Sequence, residues 1–176
     1  MSLLSRFKPK PQASLPEAEL RKHRCAFTGH RPEKVVGQEG YAIGELRKAI
    51  EAAVRDGYTT FITGCSRGVD LWAADIVIEM RRYDKRLKLV CAIPFEGFDD
   101  KWSPEWKKHL NLVKKEADWI QVISKEYHPE AYQKRNAWMV NKASKIIALC
   151  NGEPSGTLNT VRYAEAQKVS VHMIQV

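Results

Sequence analysis

Three stretches of this chain combine glycine with hydroxyl, cationic or acidic side chains. They are Thr28-Gly29-His30-Arg31-Pro32, Thr63-Gly64-Cys65-Ser66-Arg67-Gly68-Val69-Asp70 and Asn151-Gly152-Glu153-Pro154-Ser155-Gly156-Thr157. Glycine lets a backbone come close to a ligand. N–H groups at a helix start suit a phosphate, and a guanidinium offers fork-like donors to one. In the first stretch His30 and Arg31 follow Gly29 directly. A lone histidine does not by itself make acid–base chemistry, and a turn fixed by Pro32 explains it too. In the second, Gly64, Ser66, Arg67 and Gly68 lead to Asp70, which has two readings. As a helix cap it holds a backbone N–H, the favoured reading from its place; as a ligand group it accepts from a ribose hydroxyl. In the third, Gly152 precedes Ser155, Gly156 and Thr157, donors at another helix start. Arg135-Asn136-Ala137-Trp138-Met139 leads into that loop, so Arg135 and Asn136 are counted with it. Among the aromatics Phe95, Phe98, Trp102 and Trp106, Trp102 is the candidate lid or stacking group, and Tyr127 and Tyr132 are further stacking candidates.

The elements that must position these residues follow from hydrophobic period. Apolar runs at 24–28, 58–63, 87–93, 119–123, 146–150 and 169–174 read as strands. The third is expected to end at Pro94. Ala42, Leu46, Ala49, Ile50 and Ala53 recur at helical spacing, with Gly57 as a stop. Helices are also expected from about Asp70, over 105–116, over 130–143 and over 159–168. Strands alternating with helices imply parallel βαβ units, hence an α/β, Rossmann-like three-layer α/β/α sandwich with a mainly parallel sheet. In such a sheet the glycine loops gather at the carboxyl ends of the strands, where ligands bind. Residues 1–22, with Pro9, Pro11 and Pro16 among charges, read as a basic, flexible tail, and 23–176 as one domain.

Composition narrows the classes. No apolar run approaches the ~20 residues of a membrane helix, and the N-terminus lacks the apolar segment of a secretory signal. Neither membrane partner nor export is expected. Cys25, Cys65, Cys91 and Cys150 match no CxxC or zinc spacing, the five histidines are scattered, and no metal is expected. The bland reading of the cysteines is buried free thiols in a reducing cytoplasm. Cys65 stands apart in a loop, though a nucleophile needs a lowered pKa. A net charge of +8 fits anionic partners, whether nucleotide or nucleic acid. The basic residues lie mostly in the tail and on helical surfaces, so nucleic acid is weakly supported. The dinucleotide pattern GxGxxG is absent, which disfavours an ordinary nicotinamide dehydrogenase.

Taken in order, Thr28-Gly29-His30-Arg31-Pro32, Gly64-x-x-x-Gly68-Val69-Asp70, Pro94-Phe95, Trp102, Lys134-Arg135-Asn136 and Gly152-x-x-Ser155-Gly156-Thr157 resemble the YpsA-like family of bacterial proteins. That family belongs to the SLOG superfamily, with DNA-processing protein A and LOG-type proteins. The resemblance runs from about residue 24 to the end. It implies a strand-end pocket for a nucleotide or nucleotide-derived ligand, ADP-ribose-like molecules included, in a sensor or regulatory module. It also makes a homodimer plausible. Two alternatives come with it. LOG-type phosphoribohydrolases cleave the N-glycosidic bond of nucleoside monophosphates, using an arginine-lysine-x-x-methionine helix and a loop ending Gly-Thr-x-Glu-Glu. Here Arg135, Met139, Gly156 and Thr157 match, but Asn136 replaces the lysine, and Asn159 and Thr160 replace the glutamates. A carboxylate would stabilise the positive charge that develops on ribose, so whether the chain is an enzyme is left open and no catalytic residue is assigned. The DNA-processing branch has a loop similar to 64–70 and binds single-stranded DNA.

Overall fold

Residues 15–176 are described by a computed structural model. Among these residues, six strands and six α-helices follow one another: α1 (Glu17–Arg21), β1 (Arg24–Gly29), α2 (Glu39–Arg55), β2 (Thr60–Thr63), α3 (Val69–Met80), β3 (Lys88–Phe95), α4 (Pro104–Glu116), β4 (Trp119–Ser124), α5 (Ala131–Lys142), β5 (Lys145–Cys150), α6 (Gly156–Ala166) and β6 (Ser170–Gln175). A 3-10 turn over Pro32–Lys34 follows β1. The sheet order is β4-β3-β2-β1-β5-β6, with every pairing parallel. This is the doubly wound Rossmann-like arrangement, and its order reverses between β1 and β5, where such sheets open a crevice for ligands.

Alternation along the strands sorts the core into two layers. Cys25, Phe27, Phe61, Leu89, Cys91 and Ile93 face α2, α3 and α4, while Ala26, Ile62, Ala92, Ile146 and Ala148 face α5 and α6. Phe27 and Phe61 stack at 5.8 Å between ring centres, tying β1 to β2. Burying a side chain of this size contributes about 1.5–3 kcal/mol. On α2 the buried residues are Ala42, Leu46, Ala49, Ile50 and Ala53, the stripe read from the sequence, and Gly57 beyond its end has φ +95°.

Three of the boundaries that differ from expectation have a local cause. Strand β3 runs through Pro94 to Phe95. Its pairing with β2 ends at Cys91, so the missing N–H of Pro94 leaves no ladder bond unmade on that side, and Phe95 still pairs with Ser124 of β4. Helix α6 begins at Gly156, three residues early, because Ser155 caps it: its Oγ accepts from the Leu158 N–H at 3.2 Å. Strand β2 begins at Thr60 rather than residue 58, since the N–H groups of both Thr59 and Thr60 turn to the His23 carbonyl.

At the end of the segment expected as tail, α1 is fastened to the domain. Glu17 accepts from Arg24 Nη1 at 2.6 Å and Lys142 Nζ at 3.0 Å, and Arg21 Nε donates to the Ala143 carbonyl at 2.9 Å. Residues 1–14 of the tail reading lie outside the described residues.

Candidate functional site

At the carboxyl end of the sheet, over the β1/β5 crevice, lies a cavity of about 470 Å³. Four segments wall it: the end of β1 with the 3-10 turn, the loop after β2, the first turns of α5, and the start of α6. Of the residues singled out from sequence, Gly29, His30, Arg31, Ser66, Asp70, Arg135, Asn136, Ser155, Gly156 and Thr157 come together here. Gly64 and Gly68 sit behind the wall, Arg67 and Trp102 line a neighbouring cavity, and Gly152 is exposed outside both.

Asp70 is 4% exposed. It is not the helix cap: Gly68 occupies that position and Asp70 lies in the first turn of α3. Its Oδ2 reaches back to accept from the Ser66 N–H at 3.2 Å. Its Oδ1 is buried and has no partner among the described residues. Burial pushes the carboxyl up to about 6, against the pull of Arg135, the Ser66 N–H and Arg31. Arg135 is 5% exposed and its charge is disfavoured by the same burial, with Asp70 opposing. Its Nη1 donates to the Gly64 carbonyl, its Nη2 to Ser66 Oγ at 3.4 Å and its Nε to Asn136 Oδ1 at 2.7 Å. The guanidinium also lies 5.8 Å from the Tyr132 ring centre. A carboxylate and a guanidinium thus face one another across the loop, both held by short-range bonds to it.

The glycines serve this arrangement more than they serve close approach to a ligand. A Cβ on Gly64 would stand 2.7 Å from Asp70 Oδ2 and 2.8 Å from Arg135 Nη1, so its absence makes room for both charged groups. At Gly29 a Cβ would run into the Val69 side chain, and the bare backbone lets α3 pack on β1. Gly68 has φ +87° and would place a Cβ 2.8 Å from the His30 carbonyl. The opening of α6 does face the cavity. Helix geometry leaves its first N–H groups unpaired; the Ser155 cap takes that of Leu158, and those of Gly156 and Thr157 have no acceptor among the described residues.

His30, 3% exposed, links the ends of β1 and β5. Its Nε2 lies 2.8 Å from Asn151 Oδ1 and 3.0 Å from the Asn151 N–H, donating to the first or accepting from the second. Arg67 is spent on Glu33 at 2.5 Å. The Arg31 carbonyl accepts from the Lys34 N–H at 3.0 Å, but its guanidinium makes no hydrogen bond or ion pair among the described residues. Cys65 is fully buried, and the neighbouring Cys91 thiol together with burial holds its thiol well above the ordinary value, the reverse of an activated nucleophile. Sequence reasoning missed Glu33, Lys34 and the Asn151 partner of His30. Pro32 was the available signal for the first two: a proline at the first position of a tight turn folds the next residues back over the strand end.

A family model described as the YspA SLOG family matches residues 25–176. The chain belongs to that family. Curated relatives of this SLOG chain include a UPF0398 protein of Bacillus thuringiensis (strain Al Hakam), 27% identical over 125 residues, 70% of this chain and 68% of the relative. Another, from Bacillus cereus (strain G9842), is 26% identical over 140 residues, 75% of this chain and 76% of the relative. Among solved structures the SLOG domain is similar to DNA processing protein A from Streptococcus pneumoniae, with TM-score 0.61 and 15% identity over 89% of this chain. It is also similar to DNA processing protein A from Helicobacter pylori, whose structure concerns single-stranded DNA binding, with TM-score 0.57 and 14% identity over 89% of this chain. The chain spans 52% and 66% of those two proteins. At these identities the likeness is one of fold. No helix among the described residues of this SLOG chain is long and apolar enough to cross a membrane.

Proposed function

We propose that this SLOG domain binds a nucleotide or nucleotide-derived ligand at the β1/β5 crevice and acts as a sensor or regulatory module in a reducing cytoplasm. One observation carries the reading: Asp70 lines the cavity, and its Oδ1 is buried without a partner among the described residues. A buried acceptor without a donor carries a desolvation penalty of about 1–3 kcal/mol or more, and a ribose hydroxyl supplies the missing donor. The free N–H groups of Gly156 and Thr157, with the nearby Arg31 guanidinium, suit the phosphate. Arg135 keeps Asp70 ionised for this task.

Glycosidic hydrolysis is the less favoured reading. Where LOG-type loops carry glutamates, Asn159 is exposed and the Thr160 hydroxyl donates to the Gly156 carbonyl at 2.9 Å. The carboxylates at the cavity are Asp70 and Glu33, and Glu33 is held by Arg67. Single-strand binding draws only on the fold shared with the Helicobacter pylori protein.

The test is native purification with mass spectrometry of any retained molecule, followed by thermal-shift titration with nucleotides. An intact nucleotide-type ligand that raises the melting temperature is expected. Asp70→Asn is expected to weaken it about 10-fold to 100-fold, the range for a hydrogen bond to a charged group. Affinity unchanged in that variant refutes the reading. Free base and ribose phosphate in the products move the assignment to a hydrolase.

A further inference from the structure

Beside the first cavity lies a second, of about 770 Å³, and the two share Arg31, Ser66 and Tyr132. Each falls within the ~300–1,000 Å³ of small-molecule sites. Their linings differ in chemistry. The first is lined by Asp70 and the α6 start, but among the described residues it has no free aromatic platform. Phe27 is sealed in the core at 1% exposure, and the Tyr132 ring already stands beside the Arg135 guanidinium. The second is walled by Phe95, Phe98, Trp102, Trp106, Tyr127 and Tyr132, with Lys101 among the residues around them. Phe98 and Trp102 meet edge to face at 5.3 Å, and Phe95 meets Tyr127 likewise at 5.4 Å, so the rings brace one another. Tyr127 is nonetheless 64% exposed. Gly97, at φ +81°, turns the loop that carries this wall.

Arg31 stands at the seam. Arg67, its neighbour in the second cavity, is neutralised by Glu33, and Arg135 is occupied by loop acceptors. Arg31 is exposed, and its guanidinium is unbonded among the described residues. A free cation between a sugar-phosphate cradle and an aromatic chamber is placed for an anionic bridge joining two halves of one molecule.

We propose that the two cavities form one bipartite site for a dinucleotide-type ligand. A ribose phosphate half sits against Asp70 and the α6 start, a bridging phosphate lies at Arg31, and a planar ring stacks in the aromatic chamber. This rests on the nucleotide reading of the first cavity and adds a second compartment to it. A mononucleotide fills only the first.

The probes are AMP, NAD and diadenosine pyrophosphate, titrated calorimetrically against the wild-type chain and against Trp102→Ala, Tyr127→Ala and Arg31→Ala. Stacking one planar ring on an aromatic shelf brings about a 10-fold gain in affinity, so at least one two-headed probe is expected to bind about 10-fold more tightly than AMP. Tyr127→Ala and Trp102→Ala are expected to abolish that advantage while leaving AMP affinity unchanged. Tyr127→Ala, at an exposed position, keeps the test valid should Trp102→Ala disturb the fold. Arg31→Ala is expected to weaken the two-headed probe more than AMP. Binding of AMP with no advantage for either two-headed probe overturns the bipartite site and leaves the nucleotide reading intact. An advantage that survives both aromatic variants overturns it as well. Failure of all three probes overturns both readings. Tighter binding of a ten-residue oligothymidylate, falling steeply with salt, overturns the small-molecule assignment in favour of a strand groove.

Discussion

Asp70→Asn is expected to make the ligand-free protein more stable while impairing its binding. The folded state holds this carboxyl at about 6 against an ordinary 3.8, chiefly through burial. A group with a raised folded pKa binds more protons in the native state than in the unfolded one. Stability is therefore lost as pH rises from about 4 to about 6 and is level above that. At about 1.4 kcal/mol per pH unit, the displacement corresponds to about 3 kcal/mol at neutral pH. The attraction of Arg135 is already contained in that displacement, since it is among the influences pulling the value down. Asparagine keeps an oxygen for the Ser66 N–H and carries no charge to bury. Arg135 retains Gly64, Ser66 and Asn136 as acceptors. Urea unfolding at pH 4, 5, 6, 7 and 8 is the assay. The variant is expected to exceed wild type by about 1–3 kcal/mol at pH 8 and to converge on it near pH 4. A variant less stable than wild type at pH 8 refutes the reasoning, because the carboxylate would then be a net support of the fold.

Gly64→Ala is expected to destabilise by about 1–3 kcal/mol, as overpacking does, and to weaken ligand binding along with it, since the added carbon displaces Asp70 or Arg135; thermal melts and the same titrations check both. Gly68→Ala meets a backbone carbonyl at a positive φ and is expected to cost about 1–3 kcal/mol, read by urea denaturation. Ser155→Ala removes the α6 cap at about 1 kcal/mol. Ser155→Asp is expected to restore stability in the same melts but to repel a phosphate, separating the cap from the ligand role.

The α/β alternation was legible because burial enforces period 2 on the strands and about 3.6 on the helices, and Ala42 to Ala53 show this plainly. The crevice followed, since a parallel sheet must carry its loops at one end. Side-chain direction was less legible. Sequence placed Asp70 at a helix start, but only the folded loop shows its carboxylate turned back to Ser66 with one oxygen bare. Gly29 and Gly64 announce a missing Cβ without saying what fills the space, and Val69 and the Asp70–Arg135 pair fill it. Arg67 and Arg31 look alike in sequence. Glu33 decides between them, and it reaches Arg67 only because the turn at Pro32 brings it there. The residues Ser155, Gly156 and Thr157 read as a helix start, yet the helical stretch is marked only from 159; the Ser155 cap brings α6 forward to Gly156.

The fastening of α1 has a practical consequence. Glu17 and Arg21 hold that helix to Arg24, Lys142 and Ala143, which stand where β1 begins and α5 ends. This pole of the domain is opposite the ligand mouth. Val176, by contrast, bonds through its N–H to the Cys150 carbonyl, beside the loop that leads into α6. A purification handle or surface linker joined ahead of α1 leaves the mouth unobstructed, whereas one joined after Val176 crowds it.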